Sequence, residues 1–285
     1  MTEILALESA TDVVGCAVGR HNDNLIEVRA SMLANSDRSH GQMLAPMVKA
    51  VLSEAEMSIA DIDLVAVDCG PGRYTGLRVG IATAAALAYG QSLPVVKVSS
   101  TELLAFGARS FNGYIVSLVD ARRGEVFYAV YRGQGHQGPS AKHNSANHNS
   151  AKHQGTAPGC WLEEIMPARV GKPDDVITEL SKYKGRKLLL GDSEIVGSVI
   201  NNGVINNGAI NNGVINCGVV SPSPSSLVVL AAQKAEAGQV WEASELAPLY
   251  LRPPDINTAR KDTIKKDIAK KDAIKGDAVK RDTVR

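Results

Sequence analysis

Residues 68–80 read DCGPGRYTGLRVG, with four glycines, one proline and two arginines in thirteen positions. The stretch joins a short apolar run, Asp63–Asp68 (DLVAVD), to an alanine-rich one, Leu77–Tyr89, of helical length. Strand, glycine loop and helix in that order predict an α/β unit. The loop Gly70–Gly76 has two readings. Exposed amides at a helix start attract anions such as phosphate, with help from the helix dipole, which makes Gly70, Gly72 and Gly76 candidate contacts. Alternatively, the glycines build a tight strand-to-helix turn. The spacing is not the dinucleotide-binding fingerprint, and no Lys-Ser/Thr pair makes it a Walker loop.

Upstream of the loop, Ile4–Leu7, Val13–Val18 and Leu25–Leu33 are extended stretches joined by short polar turns, the pattern of an antiparallel meander. The period then changes. Leu44, Met47, Val48, Val51, Leu52 and Ala55 share one helical face, with Ser39 as N-cap and Gln42 at the capping-box position. Leu93–Val98 is a further strand. The second half repeats the outline: a hairpin (Tyr114–Asp120, Glu125–Tyr131), a helix (Asp174–Tyr183), a strand (Lys187–Leu190) and an apolar helix (Ser225–Ala237). A duplicated α/β fold with a cleft between its halves is expected.

The chain of 285 residues is long enough for such a core, and with 44% hydrophobic but only 4% aromatic residues that core is aliphatic. Net charge is +1, yet residues 259–285 hold ten Lys/Arg against five Asp, which leaves the first 258 at −4. The acidic start MTEILALESA does not resemble a signal peptide, and the uncharged run Val79–Val96 is interrupted by Gly90, Gln91, Ser92 and Pro94, so no membrane span is expected. Four scattered cysteines without CxxC spacing argue against zinc and disulfides and for a reducing cytoplasm.

Three segments repeat every five residues: 141–155 (AKHNS ANHNS AKHQG), 200–219 (INNGV INNGA INNGV INCGV) and 259–283 (ARKDT and its variants). Five is the period of neither helix nor strand, so all three are expected to lie outside the fold. The expected organisation is a first lobe over 1–106, a second over 107–258 interrupted at about 135–158 and 200–219, and a basic tail over 259–285. His136, His143, His148 and His153 fall in or beside the first repeat, but spacing of five turns them to different faces without a carboxylate or thiol, so no metal site is assigned.

The blocks ILALESAT (4–11), SHGQMLAPMV (39–48), VAVDCGPGRYTGLRVGIATAAALAYG (65–90), LPVVKVSSTELLAF (93–106), VDARRGEVFYAVY (119–131) and PLYLRPPD (248–255), in that order, closely resemble the TsaB (YeaZ) family. The resemblance covers most of residues 1–132 and, more thinly, 160–258 apart from the Asn-Gly repeat; the three repeats have no counterpart in the family pattern. It implies the two-lobed ASKHA fold shared by actin, Hsp70 and sugar kinases. It also implies a noncatalytic, cytoplasmic subunit of the bacterial machinery that places threonylcarbamoyl on the N6 of the adenosine beside the anticodon of ANN-decoding tRNAs. In that family TsaD is the catalytic partner, TsaE joins them, tRNA is engaged through the complex, and self-association is open when TsaD is absent. No cofactor belongs to the subunit itself, although the complex uses ATP. The implied heterodimer surface lies on about Ser39–Glu56 and Leu77–Tyr89, with Met43, Met47, Ala82 and Ala85 as interface candidates.

The residues support the noncatalytic expectation. TsaD-like proteins carry a metal-binding His-x-x-x-His after the strand that matches Leu93–Val98; Ser100 and Leu104 stand at those places here. Two rival classes remain as alternatives. A small-molecule kinase of the same fold needs a D-x-G-x-T-type turn, whereas this chain has Glu8-Ser9-Ala10-Thr11. A glycoprotease-like peptidase would need a metal pair or a Ser/His/Asp arrangement, and neither has recognisable spacing.

Overall fold

The computed structural model describes residues 1–22, 25–35, 40–134, 162–207, 214–219 and 221–252. Met1–Leu251 form one compact unit. Its first sheet holds β1 (Thr2–Glu8), β2 (Val13–Asn22), β3 (Leu25–Asn35), β4 (Leu64–Asp68) and β5 (Val95–Val98), in the order β3-β2-β1-β4-β5. The second holds β6 (Asn112–Arg122), β7 (Glu125–Gln134), β8 (Leu162–Gly171), β9 (Lys187–Gly191) and β10 (Val214–Val219), in the order β10-β9-β6-β7-β8. Read from β8, the second sheet has the order and strand directions of the first. β6 pairs antiparallel with β7 and parallel with β9, as β1 does with β2 and β4. The duplicated ASKHA-like fold expected from the sequence is the observed one.

Strand alternation places a core on each face of each sheet. In β1 and β4, Leu5, Leu7, Val65 and Val67 face α1 (His40–Glu54) and α2 (Tyr74–Gln91), while Ile4, Ala6, Leu64 and Ala66 face the middle of the molecule. There α3 (Ser100–Gly107) and α6 (Pro224–Glu236) lie between the sheets, sharing one cluster with Ile115, Ala129 and Leu188. On the far face of the second sheet, α4 (Pro173–Leu180) and α5 (Ser193–Asn207) cover Val116, Val130 and Leu189. The two middle helices are exchanged: α3 packs on β6 and β7, and α6 on β1 and β2. A division near residue 106 therefore follows the sheets but not the helices that cover them.

The Asn-Gly repeat corrects an expectation. Residues 200–207 continue α5, and 214–219 form β10, paired parallel to β9 from Val214 opposite Lys187 to Val219 opposite Gly191. Each pentamer carries two adjacent aliphatic residues, and a run of one to three pentamers can serve either element whatever its period. Its described residues, 200–207 and 214–219, are part of the second lobe. The first repeat, the basic tail and Ser39 lie outside the described residues. Among the described residues no helix is long and apolar enough to cross a membrane.

After α6 the chain returns along the first sheet. Trp241 exchanges both backbone hydrogen bonds with Val95 at 2.9 Å, and the Leu249 amide donates to the Cys69 carbonyl at 2.7 Å. This strap covers the β5 edge, and the β3 edge carries Leu25, Val28, Met32 and Leu33 exposed.

Candidate functional site

The candidate site lies at the C-terminal ends of the central strands. Four carboxylates mark these ends, and each accepts the amide two residues further on. Glu8 takes Ala10 N–H at 3.0 Å and Asp68 takes Gly70 N–H at 2.7 Å; Asp120 takes Arg122 N–H at 2.6 Å and Asp192 takes Glu194 N–H at 2.8 Å. Such local turns are the ordinary use of a short acidic side chain at a strand end.

A cleft opens between the two pairs, lined by Ala10, Thr11 and Arg73 on one side and by Leu118, Val119 and Gly191 on the other, with Leu104 and Pro222 also in its lining. Ions cross its mouth. Arg73 pairs with Asp12, and Arg122 reaches Asp120 at 3.0 Å and Asp12 at 3.8 Å. Burial, and the nearby Arg122, hold the Arg73 pKa below its usual value, against the pull of Asp120 and Asp192. Arg122, Arg123 and Gly124 all have positive φ (62°, 59° and 73°), the backbone form of a tight hairpin turn.

The geometry of the glycine loop is that of a tight strand-to-helix turn. The Gly70 amide is taken by Asp68, the Arg73 amide donates to the Ala10 carbonyl at 2.6 Å, and Ser9 Oγ donates to the Gly76 carbonyl at 2.9 Å. A Cβ on Gly72 would sit 2.1 Å from the Ala10 oxygen, and one on Gly76 2.0 Å from the Ser9 oxygen. The loop and the first turn of α2 press directly on the β1–β2 turn, so Gly72 and Gly76 serve close packing. Gly80, which sequence reasoning left unassigned, belongs with them, since its Cβ would meet Ser9 Oγ at 2.4 Å. The contact also explains why α2 begins at Tyr74, earlier than expected.

Ser100 and Leu104 lie one turn apart at the start of α3. Ser100 is fully buried and donates to Asp68 at 2.7 Å, while Leu104 packs with Val119, Ala121 and Phe127. Glu8 entered the sequence reading only as part of the turn Glu8-Ser9-Ala10-Thr11; its pairing with Asp68 escaped it, although both close short apolar runs, ILALE and LVAVD, which was a usable signal.

Of the four interface candidates, Ala82 is exposed on α2 and Ala85 and Met43 are half-buried. Met47 is corrected: it is only 6% exposed and belongs to the first-sheet core, because it shares the stripe of Leu44, Val48 and Val51. The outer face of α2 runs through Thr75, Arg78, Ala82 and Ala86 to Tyr89, which is 83% exposed. Beside it, Tyr250 from the strap stacks on Tyr74 at 5.1 Å, and the Arg78 guanidinium lies 4.1 Å over the Tyr74 ring and donates to Tyr250 Oη at 3.1 Å.

A family model described as TsaD, tRNA N6-adenosine threonylcarbamoyltransferase, matches residues 27–157. The tRNA threonylcarbamoyladenosine biosynthesis protein TsaB of Escherichia coli is 37% identical over 131 residues, which are 45% of this chain and 54% of that protein. TsaB of Bacillus subtilis is 34% identical over 129 residues, 45% of this chain and 55% of its own length. The chain thus spans a little more than half the length of the curated relatives it matches. A solved structure from Pseudomonas aeruginosa, described as an uncharacterized protein with similarity to peptidase YEAZ, shares the fold with a TM-score of 0.65 at 24% identity, over 88% of this chain and all of that one. In its matched part the chain is similar to TsaB proteins, and its described residues share the fold of the YeaZ-like structure.

Proposed function

We propose that the chain is a noncatalytic, platform subunit of the cytoplasmic complex that transfers threonylcarbamoyl to the N6 of the adenosine beside the anticodon of ANN-decoding tRNAs. It acts with a TsaD-type catalytic partner and TsaE, binds no cofactor of its own and leaves ATP to the complex. The observation that carries the noncatalytic role is the start of α3. Where a TsaD-type metal pair would need two histidines, Ser100 is tied to Asp68 and Leu104 is a core residue. Hydrocarbon cannot ligate a metal.

The partner face proposed is the outer side of α2 with the adjoining edge of α1. Small side chains at Ala82 and Ala86 allow a second helix to approach to about 8–10 Å, and exposed Tyr89 with the Tyr74–Tyr250–Arg78 stack supplies the residue types that dominate interface energies.

Co-expression with the cognate TsaD, followed by size-exclusion chromatography, tests the assignment. The wild-type chain is expected to co-elute, and Ala82→Arg or Met43→Glu to remain folded and elute alone, with affinity lowered more than about a hundredfold. Co-elution of both folded variants would move the surface elsewhere. Modified adenosine formed by this chain and the threonylcarbamoyl adenylate alone would end the platform reading. ATP turnover or peptide cleavage by the isolated chain would favour the kinase or peptidase alternative.

A further inference from the structure

Glu8 and Asp68 end neighbouring parallel strands one step beyond the paired residues Leu7 and Val67, so their side chains rise side by side from the sheet. Both residues are buried, with exposures of 0% and 1%. One oxygen of each is supplied with donors. Glu8 Oε1 accepts from Ala10 N–H, and Asp68 Oδ1 accepts from Gly70 N–H and from Ser100 Oγ. The other two oxygens, Glu8 Oε2 and Asp68 Oδ2, are buried and have no donor. Two buried acceptors on neighbouring strand ends without a donor are costly, and so are two adjacent buried negative charges. One proton between them removes both costs.

We propose that Glu8 and Asp68 share a single proton, and that this carboxylic acid–carboxylate hydrogen bond is an alkali-sensitive clasp. It ties the ends of β1 and β4 to the loop before α2 and to the start of α3.

Among the described residues the surroundings offer no substitute counter-charge. On the β1–β2 turn, Asp12 is engaged with Arg73; just after β4 the Cys69 thiol is buried and its pKa pushed up to about 12. On β5 the Lys97 ammonium lies 4.3 Å over the Trp241 ring. On α3, Glu102 pairs with Lys234 of α6 at 2.9 Å and adds negative potential at Asp68. On α2, Arg78 is turned toward Tyr74 and Tyr250. Burial first, and then the Asp68 charge, hold the Glu8 carboxyl well above the usual carboxylate range, and burial raises Asp68 as well.

A carboxyl whose pKa is higher folded than unfolded binds its proton more tightly in the folded state. Its stabilising contribution is full below the unfolded value and is lost as pH rises toward the folded one. The clasp should therefore weaken between mildly acidic and alkaline pH.

The test uses the full chain in three forms: wild type, Glu8→Gln and Asp68→Asn. Either amide supplies a fixed N–H to the remaining carboxylate without a titrating proton. Infrared spectra near neutral pH should show the carbonyl stretch of a protonated carboxylic acid in the wild type, absent from both variants. Melting temperature of the wild type should fall by several degrees from about pH 6 to about pH 9 relative to Glu8→Gln, whose curve is flatter. Should Glu8→Gln not fold, Asp68→Asn and the titration of the wild-type band give the same reading. No acid band in the wild type, or a band that survives both substitutions, overturns the proposal. So does a wild-type melting temperature raised by millimolar Mg²⁺ with no acid band, since a cation would then be neutralising the pair.

Discussion

Glu8 and Asp68 in the first lobe stand where Asp120 and Asp192 stand in the second, at the C-terminal ends of the first and fourth strands of a duplicated sheet. All four make the same local turn with the amide two residues on. Their surroundings differ. α2 approaches the first pair on glycines until Gly76 touches the Ser9 backbone, sealing both carboxyls from water. Across the cleft, α5 makes no such approach: nothing lies within 4 Å of a Cβ on Gly197, and Asp120 and Asp192 stay half-exposed, Asp120 paired with Arg122. One topology thus gives a dry pair in one lobe and a wet pair in the other, and the spacing of a helix from a strand end is what separates them.

The sharpest way to break this contrast is to force α2 away. Gly76→Ala puts a methyl into a backbone carbonyl and should cost at least about 3 kcal/mol in denaturant unfolding. A variant that melts with the wild type would show that the close approach is dispensable. Asp68→Ala should come next, at about 3 kcal/mol, because it strips the acceptor from Ser100 and the Gly70 amide and leaves Glu8 without its neighbour. The matching change in the second lobe, Asp192→Ala, removes only a cap on an exposed helix start and should cost about 1 kcal/mol. Equal losses at the two aspartates would erase the difference between the lobes. Gly197→Ala should raise stability by about 0.5–1 kcal/mol, since α5 has room and loses a flexible residue. Smallest of all, Arg122→Ala, 57% exposed, should change the unfolding free energy by no more than about 1 kcal/mol and less still at high salt.

Much of the contrast is hidden in the sequence for physical reasons. The apolar runs around Ile4–Leu7, Asp63–Asp68 and Lys187–Leu190 announce their strands, because alternation and burial are local properties. That Ala10 packs against Gly72 depends on residues about sixty positions apart, and no periodicity reports it. The short helix α3 was missed because its eight residues offer barely two turns of pattern. The Asn-Gly repeat misled in the opposite direction: its regular period masked enough aliphatic content for part of a helix and an edge strand. Met47 was legible, since its place in the stripe with Leu44 and Val51 already put it on the sheet side of α1.

The exchanged helices also bear on how the protein is made. Strands β1–β5 leave the ribosome within the first 98 residues, but the helix that covers their inner face begins at Pro224 and the residue that closes their edge is Trp241. For more than a hundred residues of synthesis the nascent first sheet has one apolar face without its cover and two bare edges, the condition in which partly folded chains associate wrongly. Contacts this distant in sequence also make folding slow. The first half, which carries most of the matched residues, should therefore not persist as a stable fragment by itself.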